Sequence, residues 1–177
     1  MKQFLKSKKG LILLATLVVA AAAAVGAYAY FTATGSGTGT ASVGTSTDWT
    51  IEQAGSTGPD LLPDATIGTG NIQTESYQIT NPGAGQQNLA QVDIYVSATG
   101  VEGSWSAQAD TGKPACTADD FSVGGAAVGA TYTDTDSAGN FAPGELRSDS
   151  VTVQLIDNGL NQDNCKNLDV PLWFAAS

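Results

Sequence analysis

Val92-Asp93-Ile94-Tyr95-Val96-Ser97 and Val151-Thr152-Val153-Gln154-Leu155-Ile156 are the stretches that decide the fold. In the first, Val92, Ile94 and Val96 alternate with Asp93, Tyr95 and Ser97; in the second, Val151, Val153 and Leu155 alternate with Thr152, Gln154 and Ile156. A strand turns successive side chains to opposite faces, so this alternation puts one face on a core and the other toward water. A helix would need an apolar period near 3.6, and the chain shows none after Phe31.

Working outward, further strands are expected at about residues 41–51, 72–80, 103–109, 121–123, 128–133 and 169–175, which makes roughly eight. Asn81-Pro82-Gly83, Ala142-Pro143-Gly144 and Asp157-Asn158-Gly159 supply turns between them, through the fixed φ of proline and the positive φ open to glycine. Strand number and spacing predict an all-β fold, a single antiparallel β-sandwich of immunoglobulin-like or jelly-roll type over residues 41–177. An N-terminal apolar helix is expected to precede it.

That helix is read from Lys2, Lys6, Lys8 and Lys9, followed by an apolar run from Leu11 to Phe31 broken only by Thr16 and Gly26. This is a membrane-targeting pattern. Ala27 and Ala29 flank Tyr28 as a signal peptidase site, so residues 1–29 form a signal peptide whose removal leaves Tyr30 as the new N-terminus. About 20 apolar residues also span a bilayer, so an uncleaved anchor is the competing reading. In both cases the lysines remain cytoplasmic and the rest of the chain is extracytoplasmic, secreted or at the cell surface. The only membrane contact expected is through this segment.

Residues 30–40 follow as a flexible arm rich in Gly and Thr, with no apolar face to bury. Its Gly-x-Gly-x-Gly spacing lacks the strand before and helix after that a nucleotide loop needs.

All 17 acidic residues lie beyond Phe31, against Lys113, Arg147 and Lys166 alone, a net charge of −14 for that part. Such a charge disfavours nucleic acid and anionic surfaces as partners. Cys116 and Cys165 are the two cysteines. In an oxidising compartment, and without a Cys-x-x-Cys arrangement, they are expected to pair as a structural disulfide.

The chain has no histidine. That removes Ser-His-Asp and Cys-His nucleophiles and the His-Glu-x-x-His zinc site. Paired carboxylates such as Asp119-Asp120 remain, without an aromatic platform around them, and no catalytic residue is expected. One acidic loop carries metal-ligand spacing: Asp134, Asp136, Gly139, Phe141 and Glu145 match positions 1, 3, 6, 8 and 12 of an EF-hand loop. Asp134, Asp136, Asn140 and Glu145 are therefore the candidate calcium ligands, although Ala138 loses one ligand and the flanks read as strands. The bland reading is a solvated hairpin loop. Asp157, Asn161 and Asp163 form a second acidic loop of the same kind. Trp49, Trp105 and Trp173 are candidate sugar-stacking surfaces or buried sandwich tryptophans; between Leu172 and Phe174, Trp173 is the one expected to face outward.

The junction Ala27-Tyr28-Ala29-Tyr30-Phe31-Thr32, placed after a basic and apolar leader, resembles the signal peptides cut by the SipW-type signal peptidase. The Gly- and Thr-rich stretch and the all-β body are likewise similar to the TasA/camelysin family of secreted β-sandwich proteins. The resemblance implies a Gram-positive cell-surface or biofilm-matrix protein, of a kind that sometimes assembles into fibres through donated N-terminal strands. The missing histidines argue against the protease activity described for camelysin, and the cysteine pair and the segment Asn161-Gln162-Asp163-Asn164-Cys165-Lys166 depart from TasA.

The function expected is an exported, non-enzymatic structural protein of the cell surface or extracellular matrix, with signal peptidase, further copies of itself or other surface proteins as partners. Tyr30 and Phe31 on the arm, with Val43 beyond it, are the candidate assembly contacts. The alternative is a calcium- or glycan-binding surface module. No cofactor other than calcium is expected.

Overall fold

The computed structural model describes residues 46–177. The N-terminal apolar helix, the cleavage junction at Ala27, Ala29 and Tyr30, the arm with Phe31, and Val43 lie outside the described residues.

Eleven strands follow in chain order: β1 (Thr50–Thr57), β2 (Ile72–Thr80), β3 (Gln87–Leu89), β4 (Val92–Val96), β5 (Ser106–Ala107), β6 (Cys116–Thr117), β7 (Phe121–Val123), β8 (Tyr132–Asp134), β9 (Gly139–Phe141), β10 (Leu146–Leu155) and β11 (Leu172–Ala176). One antiparallel sheet has the order β1-β2-β10-β7 and a second the order β11-β4-β8, with two-stranded ladders β3-β9 and β5-β6 beside them. The helical turns among the described residues are short 3-10 segments, Ala118–Asp120 and Asp163–Cys165. None of the described helices is long and apolar enough to cross a membrane.

Alternation places the core as expected. Val92, Ile94 and Val96 of β4 are buried, as are Val151, Val153 and Leu155 of β10, together with Tyr77 and Ile79 of β2. Phe121, Val123, Leu89 and Phe141 complete the same cluster. The apolar faces of the two larger sheets meet where Tyr77 of β2 packs on Phe174 of β11, ring centroids 4.9 Å apart. Each such side chain withdrawn from water contributes roughly 1.5–3 kcal/mol.

The short strands escape sequence reading because two or three residues carry no period. Others differ in extent. β10 begins at Leu146, five positions before its apolar alternation, because Leu146 to Gln154 pair in unbroken register with Thr80 to Ile72. Conversely, the strand expected at 128–133 is shortened and shifted to Tyr132–Asp134. A turn precedes it, closed by the Ala130 N–H on the Ala127 carbonyl.

Buried polar groups pin the turns. Asn81, fully buried, donates through Nδ2 to the carbonyls of Gly85, Phe141 and Ala142 and accepts through Oδ1 from Gly83 N–H and Gln87 Nε2. One side chain thus ties the Asn81-Pro82-Gly83 turn to the Ala142-Pro143-Gly144 turn. Among the described residues, every buried side-chain nitrogen and oxygen has a hydrogen-bond partner.

Tyr77 donates to Asp134 Oδ2 at 2.5 Å inside the core. Burial, then that bond and the charges of Asp134 and Asp149, push its pKa far above that of an ordinary phenol. The unfolded chain ionises this group near pH ~10 and the folded chain does not, so its contribution is complete below pH ~10 and is lost as pH rises. Stability should fall above that point by about 1.4 kcal/mol per pH unit through this group alone. Urea midpoints of wild type and Tyr77→Phe across the alkaline range test this; equal slopes in the two proteins contradict it.

Candidate functional site

Cys116 and Cys165 form the expected disulfide, with an S–S distance of 2.09 Å. The buried Asp120 carboxylate lies beside it and accepts from Thr117 N–H, Asn158 Nδ2 and Gln162 Nε2. Cys116, Asp120 and Cys165 are the one group of metal-type side chains gathered within 4.8 Å among the described residues. With both sulfurs bonded to each other, the group is a structural joint.

The candidate calcium ligands do not converge. Asp134 is buried, with Oδ2 taken by Tyr77 and Oδ1 by the N–H of Asp136. Asn140 points its side chain at Asn88 across the β3-β9 ladder. Glu145 closes the Ala142–Glu145 turn by accepting from Ala142 N–H at 2.7 Å and pairs with Arg147 at 2.8 Å. These contacts, the backbone one first, hold its carboxyl below the usual carboxylate range. Arg147 also donates to the carbonyls of Ser137, Ala138 and Asn140, and its guanidinium lies 3.9 Å over the Phe141 ring. A guanidinium thus sits against the carbonyls of the loop that the spacing suggested for a cation.

In the second acidic loop Asp157 and Asn161 close turns on the N–H groups of Gly159 and Asp163. Asp163 bonds Lys113 at 2.8 Å and also Lys166. Lys113 first, then Lys166, hold its carboxyl well below the ordinary range.

The tryptophans divide into two kinds. Trp49 packs edge-on against Phe141 at 5.0 Å, and Trp105 against Phe121 at 5.9 Å. Trp173 faces outward and is 40% exposed. It stands on β11, an edge strand among the described residues.

How β11 pairs determines what that edge offers. Ser177 and Gln91 exchange backbone hydrogen bonds at 3.0 and 3.2 Å, and Ser97 N–H donates to Pro171 O at 3.0 Å. In an antiparallel pair the bonded residues alternate, so odd-numbered residues of β11 turn their backbone groups to β4. Leu172, Phe174 and Ala176 turn theirs away. A groove of about 570 Å³ is lined by the same three residues and Trp173 together with Ser46, Thr47, Asp48, Trp49, Ile51 and Gln87.

Sequence reading missed the clamp that Asn81 forms between two turns and the pairing of Tyr95 with Trp173. Tyr95 was visible as the outward member of an alternating strand, but its pairing with Trp173 depends on which strand lies beside β4.

The fold and these contacts define an all-β, disulfide-bonded domain of several antiparallel sheets, in which, among the described residues, the edge strand β11 lies beside a groove. No family model matches the chain, and no match was found among curated proteins or solved structures.

Proposed function

We propose that this is an exported, non-enzymatic structural protein of the cell surface or extracellular matrix, a β-sandwich that assembles through its N-terminal arm. The observation that carries this reading is the β11 edge, where Leu172, Phe174 and Ala176, whose backbone groups turn away from β4, line a groove of mixed polar and apolar side chains. An added strand would gain main-chain hydrogen bonds there and bury alternate side chains in the groove. In the sequence the arm, residues 30–40, is joined by residues 41–45 to Ser46, which lines the groove. Tyr30, Phe31 and Val43 supply apolar side chains for the purpose.

The leader's likeness to SipW-type signal peptides, the disulfide and the charge of −14 beyond Phe31 support an extracytoplasmic location and argue against nucleic-acid partners. The two facing sheets support the sandwich reading, and the lack of histidine together with hydrogen-bonded Asp120 and Asp134 supports a role without catalysis.

Deleting residues 30–40 is expected to abolish filaments seen by negative-stain microscopy and to leave the thermal transition of the domain unchanged. Filaments of undiminished length and number after the deletion would overturn the arm as the assembly device.

A further inference from the structure

The outer face of the three-stranded sheet carries a second constellation, which shares only Trp173 with the lining of the groove. Trp173 and Tyr95 are directly opposite in register, and the next row along the strands is Ala175, Asp93 and Thr133. All five residues are on the side away from Val92, Ile94 and Val96. We propose that this face binds an uncharged polysaccharide, with Trp173 as the stacking platform and Asp93 as the hydroxyl acceptor.

The indole is held in place. A Cβ at Gly100 would lie 2.8 Å from two atoms of the Trp173 ring, and Gly100 has φ +80°, so only glycine lets the loop backbone approach this closely. Tyr95 fixes the same loop by donating to Gly100 O at 2.8 Å. An aromatic ring already braced on one side loses little conformational freedom on binding. Its exposed remainder suits the C–H face of a sugar ring, as aromatic walls do in ligand sites generally.

Hydroxyl recognition is equally prepared. Asp93 accepts from Thr133 Oγ1 at 2.7 Å and from Gln91 Nε2 at 2.9 and 3.1 Å. A carboxylate offers about four acceptor positions, so Asp93 is oriented by two neighbours and still has capacity for a ligand hydroxyl. Asp93 is the diagonal neighbour of Trp173 across the β4-β11 pair, and diagonal neighbours are about 7–8 Å apart and within reach of long side chains, so a sugar stacked on the indole extends toward the carboxylate. The charge of −14 beyond Phe31 selects against anionic polymers.

The test is retention of the full chain, purified in detergent, on cellulose and chitin by co-sedimentation and on soluble uncharged glucan and mannan by affinity electrophoresis. Wild type is expected to be retained by at least one of them in both low and high salt, and Trp173→Ala to weaken retention about tenfold with the melting transition unchanged. If that variant melts early, Asp93→Asn, which leaves the aromatic packing untouched, is expected to weaken retention in its place. Deletion of residues 30–40 should leave retention intact whatever it does to filaments, which separates this proposal from the assembly reading. Failure of all four polymers to retain the wild type overturns it. So does equal retention of wild type and variants, or retention in low salt that high salt abolishes.

Discussion

Replacing Cys116 and Cys165 together by alanine is expected to lower the unfolding free energy by about 4 kcal/mol, with native-state strain reducing the figure. The bridge closes a loop with a sequence separation of 49, and a loop of that length is a large entropic restraint on the unfolded chain. Cys116 is also buried in the core, on β6, which among the described residues pairs only with the two residues of β5. Its partner sits in the 3-10 turn Asp163–Cys165, which no sheet holds. Once the sulfur bond is gone, residues 157–169 are retained by side-chain contacts: Asn164 to the 109–114 loop, Gln162 to Asp120, and Asp163 to Lys113. Limited proteolysis should therefore cut this segment first while both larger sheets persist. An unchanged urea midpoint on reduction, or cleavage elsewhere first, contradicts the account.

Phe141→Ala is the other large effect expected, a loss of about 3–5 kcal/mol. Phe141 is fully buried and is touched from three directions. The Trp49 ring meets it edge-on, Arg147 covers its face, and its carbonyl accepts from the buried Asn81. Truncation leaves a cavity that a turn clamped by Asn81 cannot collapse to fill, and it removes the surface that Arg147 and Trp49 lie on. Because Trp49 also lines the groove beside β11, the variant should weaken filament assembly along with stability. A lower urea midpoint at unchanged m, with a red-shifted tryptophan emission, is the expected result. A midpoint within the usual range of surface substitutions, about ±0.5 kcal/mol, would show that the turn repacks freely.

Much of the fold was legible in the sequence where strands are long. Val92 to Val96 and Val151 to Leu155 reveal their buried faces by alternation, and the outward direction of Trp173 follows from Leu172 and Phe174 on either side. The loop from Asp134 to Glu145 shows the opposite case. Its acids are spaced as calcium ligands, yet Asp134 belongs to the core side of β8 while Glu145 and Arg147 close a turn beyond β9. Residues near in sequence were separated by a change of sheet, because β8 pairs with β4 and β9 with β3. Spacing along a chain implies proximity only when one continuous element carries it.

By itself, the sequence determined that the body is all-β, that its two cysteines pair, and that histidine chemistry is absent. These follow from local alternation and from composition, which need no knowledge of neighbours. Only the tertiary structure decided that β11 lies at an edge, that Trp173 stands opposite Tyr95 with Gly100 behind it, and that Arg147 lies against the acidic loop's carbonyls. Strand order and register are set by how whole faces pack, a non-local balance of burial and hydrogen bonding that no single stretch of residues encodes.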